Sequence, residues 1–143
     1  MIAKLTGKVD EIIGTTLILD VKGVGYDIDM VGSQPMDGNQ LSLYIYTHVR
    51  EQELRLFGFH SRKELVLFKL LIQISGVGPK LALGLMNQRS YNEIVNAVLS
   101  NNPEELKVKG VGKKTAQRLV LELQSKIKKL PVAAIKSDSS AKS

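Results

Sequence analysis

A seven-residue stretch occurs twice in this chain, 34 residues apart. The first copy reads Ile74-Ser75-Gly76-Val77-Gly78-Pro79-Lys80, and the second reads Val108-Lys109-Gly110-Val111-Gly112-Lys113-Lys114. Each sets an apolar residue, then Gly-Val-Gly, then lysine, where a helix is expected to begin. The flanks repeat as well: Ile72 matches Leu106, Ala82 matches Ala116 and Leu85 matches Leu119. Glycine admits positive φ and close backbone approach. The first N–H groups of the following helix lack intrahelical partners and lie at the positive end of its dipole, where a phosphate oxygen is a natural acceptor. A tight helix–helix turn is the alternative for a single copy. Two copies with lysine at equivalent places favour sequence-blind binding of backbone phosphate. The candidate residues are Gly76, Val77, Gly78 and Lys80 in the first copy, and Gly110, Val111, Gly112, Lys113 and Lys114 in the second.

Charge divides the chain in the same sense. Residues 1–60 hold 5 Lys/Arg against 8 Asp/Glu, whereas residues 61–143 hold 15 against 6. A basic excess on the half with the glycine turns is the electrostatic footprint of a nucleic-acid binder. The absence of cysteine excludes disulfides, iron–sulfur clusters and zinc knuckles. The N-terminus does not read as a signal peptide and no apolar run is long enough to span a bilayer, so a cytoplasmic protein is expected.

The first sixty residues alternate with strand periodicity. Strands are expected over Ile2 to Val9, Thr15 to Val21, Gly23 to Met30, Leu41 to Val49 and Leu54 to Phe59. Gly32-Ser33-Gln34-Pro35 and Asp37-Gly38-Asn39 supply turns. Asp27 and Asp29 fall on the face opposite Tyr26 and Ile28, a solvated outer face. Tyr44 and Tyr46 share a face and suit base stacking, packing or subunit contact. Five short strands predict a small antiparallel barrel of OB type, with an SH3-like barrel as the alternative.

From Ser61 the period becomes helical. Ser61-Arg62-Lys63-Glu64 and Ser90-Tyr91-Asn92-Glu93 are capping boxes. Asn102-Pro103-Glu104-Glu105 places an N-cap, a proline and first-turn acids for a further helix. A last helix is expected from Gly112 to Lys129, with Ala116, Leu119, Leu123 and Ile127 inward. The fold class is therefore α+β, all-β then all-α: a five-stranded OB-type barrel over 1–61, a tandem helix-hairpin-helix domain over 62–130, and a linker or tail over 131–143.

Enzymatic readings fail on spacing. Gly110-Val111-Gly112-Lys113-Lys114-Thr115 lacks the four residues a P-loop needs between its glycines. Leu81 and Thr115 stand where a dinucleotide fingerprint has its third glycine. A helix-hairpin-helix glycosylase needs an aspartate after the hairpin, and none lies between Asp37 and Asp138. His48 and His60 have no nucleophile suggested by spacing. No catalytic residue, metal ligand or cofactor is expected.

Taken together, several motifs resemble the RuvA family of Holliday-junction-binding subunits, over residues 1 to about 130. They are Met1-Ile2, Gly23-Val24-Gly25-Tyr26, Val49-Arg50-Glu51, Leu56-Phe57-Gly58-Phe59, Leu67-Phe68, Ser75 to Ala82, and Gly110 to Leu119. The resemblance adds Arg118 to the phosphate-binding set. It implies a non-catalytic homotetramer, or an octamer of two such plates, on four-way junction DNA. It also implies loading of RuvB motors that drive branch migration, in recombinational repair and the response to DNA damage. An acidic pin facing the crossover is implied at Glu51 and Glu53. The family usually has two adjacent acids, whereas here Gln52 separates them. The family also continues into a third domain that contacts the motor. This sequence stops within what resembles the linker, as a fragment or a naturally short version would; a fragment is expected to bind junctions and tetramerise without stimulating RuvB. A general DNA-binding module and a protein-interaction scaffold are the alternatives.

Overall fold

The computed structural model describes residues 1–32 and 38–129. Most of the two expected turns at Gly32 to Asn39, and the expected tail over 131–143, lie outside the described residues. Contacts divide the chain into two units, Met1–Leu65 and Val66–Ser143.

The first unit carries five strands, β1 (Lys4–Ile13), β2 (Thr16–Val21), β3 (Val24–Val31), β4 (Gln40–Arg50) and β5 (Glu53–Phe59). They close a barrel in the order β1-β2-β3-β5-β4, with β4 returning to β1. Val9, Leu17, Leu19, Ile28, Met30, Leu43, Ile45 and Leu56 form one buried cluster, as period-two alternation requires. The barrel is the expected OB type, and one of its seams is not antiparallel. β3 and β5 run parallel, with Ile28 opposite Leu56 and Val31 opposite Phe59. That seam gives the OB order of strands. Gly58 makes it possible, since a Cβ there would stand 2.7 Å from Ile28 and 3.0 Å from the Met30 sulfur.

The seam also corrects the reading of Asp29. It points outward as alternation demands, but it is buried. Arg55 from β5 covers it with an ion pair while lying 5.5 Å from the Phe57 ring centroid. Tyr44 sits beneath the Lys4 ammonium at 5.7 Å, and Tyr46 lies 6.4 Å from Phe57 and 6.2 Å from His48. Both tyrosines are half-buried against neighbours of their own sheet.

Helix α1 (Arg62–Ile72) follows the barrel, then α2 (Pro79–Gln88), α3 (Tyr91–Leu99) and α4 (Lys113–Lys126). At α1, Ser61 Oγ lies 3.0 Å from Glu64 Oε1 and accepts from the Glu64 N–H at 3.4 Å. At α3 the capping box is complete: Ser90 Oγ accepts from Glu93 N–H at 3.1 Å, and Glu93 Oε1 accepts from Ser90 N–H at 2.8 Å. Apolar residues at helical spacing fill the core of the second unit: Ala82, Leu85 and Met86 from α2, Ile94 and Val98 from α3, and Ala116, Leu119 and Leu123 from α4.

The helix expected after Asn102 is a single 3₁₀ turn, Pro103–Leu106. Asn102 makes no side-chain capping bond; Asn101 ahead of it takes φ +53° and Lys107 behind returns to extended backbone. The five residues between those points hold one turn and no more. The second copy of the repeat therefore has a shortened first limb.

Candidate nucleic-acid interface

The two glycine loops have the same backbone. Gly76 takes φ +87° and Gly110 φ +89°, a region closed to most side chains. Val77 N–H then bonds the Ile74 carbonyl at 3.0 Å, and Val111 N–H bonds the Val108 carbonyl at 2.8 Å. Both valine side chains are buried. Of the expected phosphate-binding residues, Val77 and Val111 are thus anchors: their amides are spent on closing the turn.

Gly78 and Gly112 follow as the N-caps of α2 and α4. Their φ values, −99° and −83°, are open to any residue, and a Cβ at either would meet nothing within 4 Å. Neither backbone strain nor packing explains glycine there. What a side chain would obstruct is something approaching from outside. Ala82 N–H bonds the Gly78 carbonyl at 3.1 Å and Ala116 N–H bonds the Gly112 carbonyl at 2.9 Å, fixing the first helical bond in each. The N–H groups of Gly78, Lys80 and Leu81 are left without intrahelical partners, as are those of Gly112, Lys113, Lys114 and Thr115. Neither cap supplies a side-chain hydrogen bond. Pro79 removes one amide from the first set, so the second loop presents one donor more. Lys80, Lys113 and Lys114 are exposed beside them.

Each loop borders the other hairpin's helix. Ser75, Gly76 and Val77 line a 260 Å³ cleft with Lys114, Thr115 and Arg118. Lys109, Gly110 and Val111 line a 590 Å³ groove with Gly78, Lys80, Leu81 and Gly84. All the expected residues of this set, Arg118 included, belong to the second unit. Sequence reasoning missed Gln88 and Lys109, which meet at this groove through two hydrogen bonds. No pattern of residue types could have shown a contact between a side chain and a main chain 21 positions away.

The expected acidic pin is the hairpin between β4 and β5. Arg50 pairs with Glu53, leaving Glu51 and Gln52 as a two-residue turn, all exposed. Glu53 Oε2 leans back to Arg55 at 3.9 Å, the same guanidinium that holds Asp29. Arg50 Nε donates to His48 Nε2 at 2.9 Å, along its own strand. Glu51 is therefore the carboxylate at the tip.

Known proteins fall in line with this geometry. The family model described as RuvA N terminal domain matches residues 1–58, and the one described as SAM-like Helix-hairpin-helix tandem matches residues 68–125. A protein of Citrifermentans bemidjiense named Holliday junction branch migration complex subunit RuvA is 46% identical over 138 residues, 93% of this chain and 69% of that protein. The chain belongs to the RuvA family. Relatives of the same name in Geobacter metallireducens and Chlorobaculum tepidum are 43% and 41% identical, each covered over 69% of its length. The two matched segments of the RuvA family span the β4–β5 hairpin and both glycine loops. Among the described residues no helix is long and apolar enough to cross a membrane.

Proposed function

We propose that this chain is a non-catalytic DNA-holding subunit that binds four-way junctions by their phosphates, without reading bases, and supports RuvB-driven branch migration in recombinational repair. The observation that carries this reading is the pair of N-cap glycines, Gly78 and Gly112, which neither conformation nor packing requires. Main-chain amides and ammonium groups around them suit an anion whose attached base is irrelevant. A subunit past which DNA must slide gains from such contacts, since each base-specific bond would be a sticking point. Arg118 and the lysines Lys80, Lys113 and Lys114 add charge. Glu51, with Glu53 behind it, is the pin that repels phosphate at the crossover.

Four-fold symmetry of the junction calls for a homotetramer, each copy holding one arm. The test is a competition gel shift with a synthetic four-way junction, together with mass measurement with and without that junction. Retention of the junction against a large excess of linear duplex, with four copies bound or eight in a double plate, is expected. Equal displacement by junction and duplex would make the chain a general DNA-binding module, and the absence of any shift would make it a protein scaffold.

A further inference from the structure

Each glycine loop is fastened by a side chain that belongs to the other hairpin. Arg118 on α4 donates from Nη1 to the Ser75 carbonyl at 3.0 Å. Gln88 at the end of α2 donates from Nε2 to the Lys109 carbonyl at 2.9 Å and accepts from the Lys109 N–H through Oε1 at 3.1 Å. Ser75 and Lys109 are equivalent in the 34-residue repeat, each just ahead of the glycine with positive φ. The same main-chain position is therefore held in both loops, each time from across the pseudo-repeat. The fasteners themselves are not equivalent, because Arg118 aligns with Gly84 and Gln88 with Glu122. Two unrelated side chains reach one outcome.

We propose that Gln88 and Arg118 are positioning residues that cross-brace the loops, so that the unpartnered amides of both helix starts form one rigid set. This rests on the reading of the loops as phosphate grips. Gln88 is well suited to bracing and poorly suited to DNA contact. Its Nε2 also donates to the Gly84 carbonyl at 3.0 Å, so both donors and the carbonyl of the amide are engaged within the protein. Arg118 keeps further N–H groups for a phosphate while one holds Ser75, which makes Gln88 the cleaner probe. Fixing donors in advance removes ordering entropy from the binding step.

The experiment compares the whole chain with Q88A and Q88E. It measures binding to a synthetic four-way junction across a salt series, thermal melting, and amide hydrogen exchange of the free proteins. In the unaltered protein the Lys109 amide should exchange slowly; fast exchange there overturns the brace without any DNA. In Q88A the Lys109 and Val111 amides should exchange faster while Val77 stays protected. Junction affinity should fall roughly 5- to 10-fold, the loss of one to two ordinary hydrogen bonds. The log–log salt slope should stay close to that of the unaltered chain, because the braced donors are neutral amides and counterion release follows the Lys/Arg contacts. A merely destabilised protein would lose active fraction while its folded molecules keep native affinity, so titrating the active fraction separates the two. Q88E keeps the side chain's size but turns a negative oxygen toward two carbonyls, and it decides the matter if Q88A melts. Native affinity in either folded variant overturns the proposal. Failure of the unaltered chain to prefer junctions overturns the phosphate reading instead, and the exchange data still judge the brace.

Discussion

The four loop glycines look alike in the sequence and have two different jobs. Gly76 and Gly110 are demanded by the backbone, since φ near +90° penalises any Cβ. Gly110→Ala should therefore destabilise the second unit by about 1–2 kcal/mol, read from denaturant melts. Gly112→Ala meets no strain and no neighbour. Its loss as a cap and the lowered entropy of the unfolded chain nearly offset, so stability should stay within about 1 kcal/mol. Junction binding should nevertheless weaken tenfold or more, the cost of pushing a phosphate off a main-chain donor. Intact affinity in folded Gly112→Ala would remove the second loop from the site. The repeat exposed all four glycines, because the spacing of Gly-Val-Gly from the helix start is local. It did not separate their roles, which depend on φ and on what surrounds an absent Cβ. Val77 and Val111 illustrate the same limit: as residues they belong to the motif, but their amides are consumed by the turn.

Among the elements, those whose signals lie within a few residues were legible: the five strands, the caps at Ser61 and Ser90, and the inward stripe of α4. The shortened limb at Pro103–Leu106 was not, because proline and first-turn acids mark a helical start without fixing how far it runs. The cover of Asp29 was hidden too, since it comes from Arg55 on a strand that alternation does not place. At the start of α3, Tyr91 is buried, and burial pushes its hydroxyl above the ordinary 10.0. Below pH 10.0 both the folded and unfolded forms keep that proton. Above it the unfolded chain ionises first, so stability should fall as pH rises past 10, and Tyr91→Phe should lessen that fall in alkaline melts. At the β4–β5 hairpin, Glu51→Gln should leave junction binding unchanged or tighter while altering migration rates. Weaker binding in that variant would speak against a repulsive tip, because removing a negative charge from near phosphates cannot by itself cost affinity.

At the scale of the molecule, the division of charge seen in the sequence matches the division of labour: acidic excess on the barrel's half, basic excess on the half with the loops. Raising salt from low to moderate concentration should lower junction affinity steeply, with each neutralised phosphate contributing about 0.9 to the log–log slope. A flat salt response would contradict a grip built on ammonium groups and amides. Fold class was legible because a period of two gives way to a helical period at Ser61. Strand order was not, because nothing in the alternation says that β5 slots between β3 and β4.

That late insertion bears on how the chain is made. A nascent polypeptide that has released residues only as far as Arg50 can zip β4 onto β1, yet it still shows water two raw sheet margins, β3 and β4. Only when Phe59 clears the ribosome can the gap be filled, and until then the margins invite pairing with a neighbouring nascent chain. Synthesis thus contains a brief interval of vulnerability, set by the nine residues from Glu51 through Phe59.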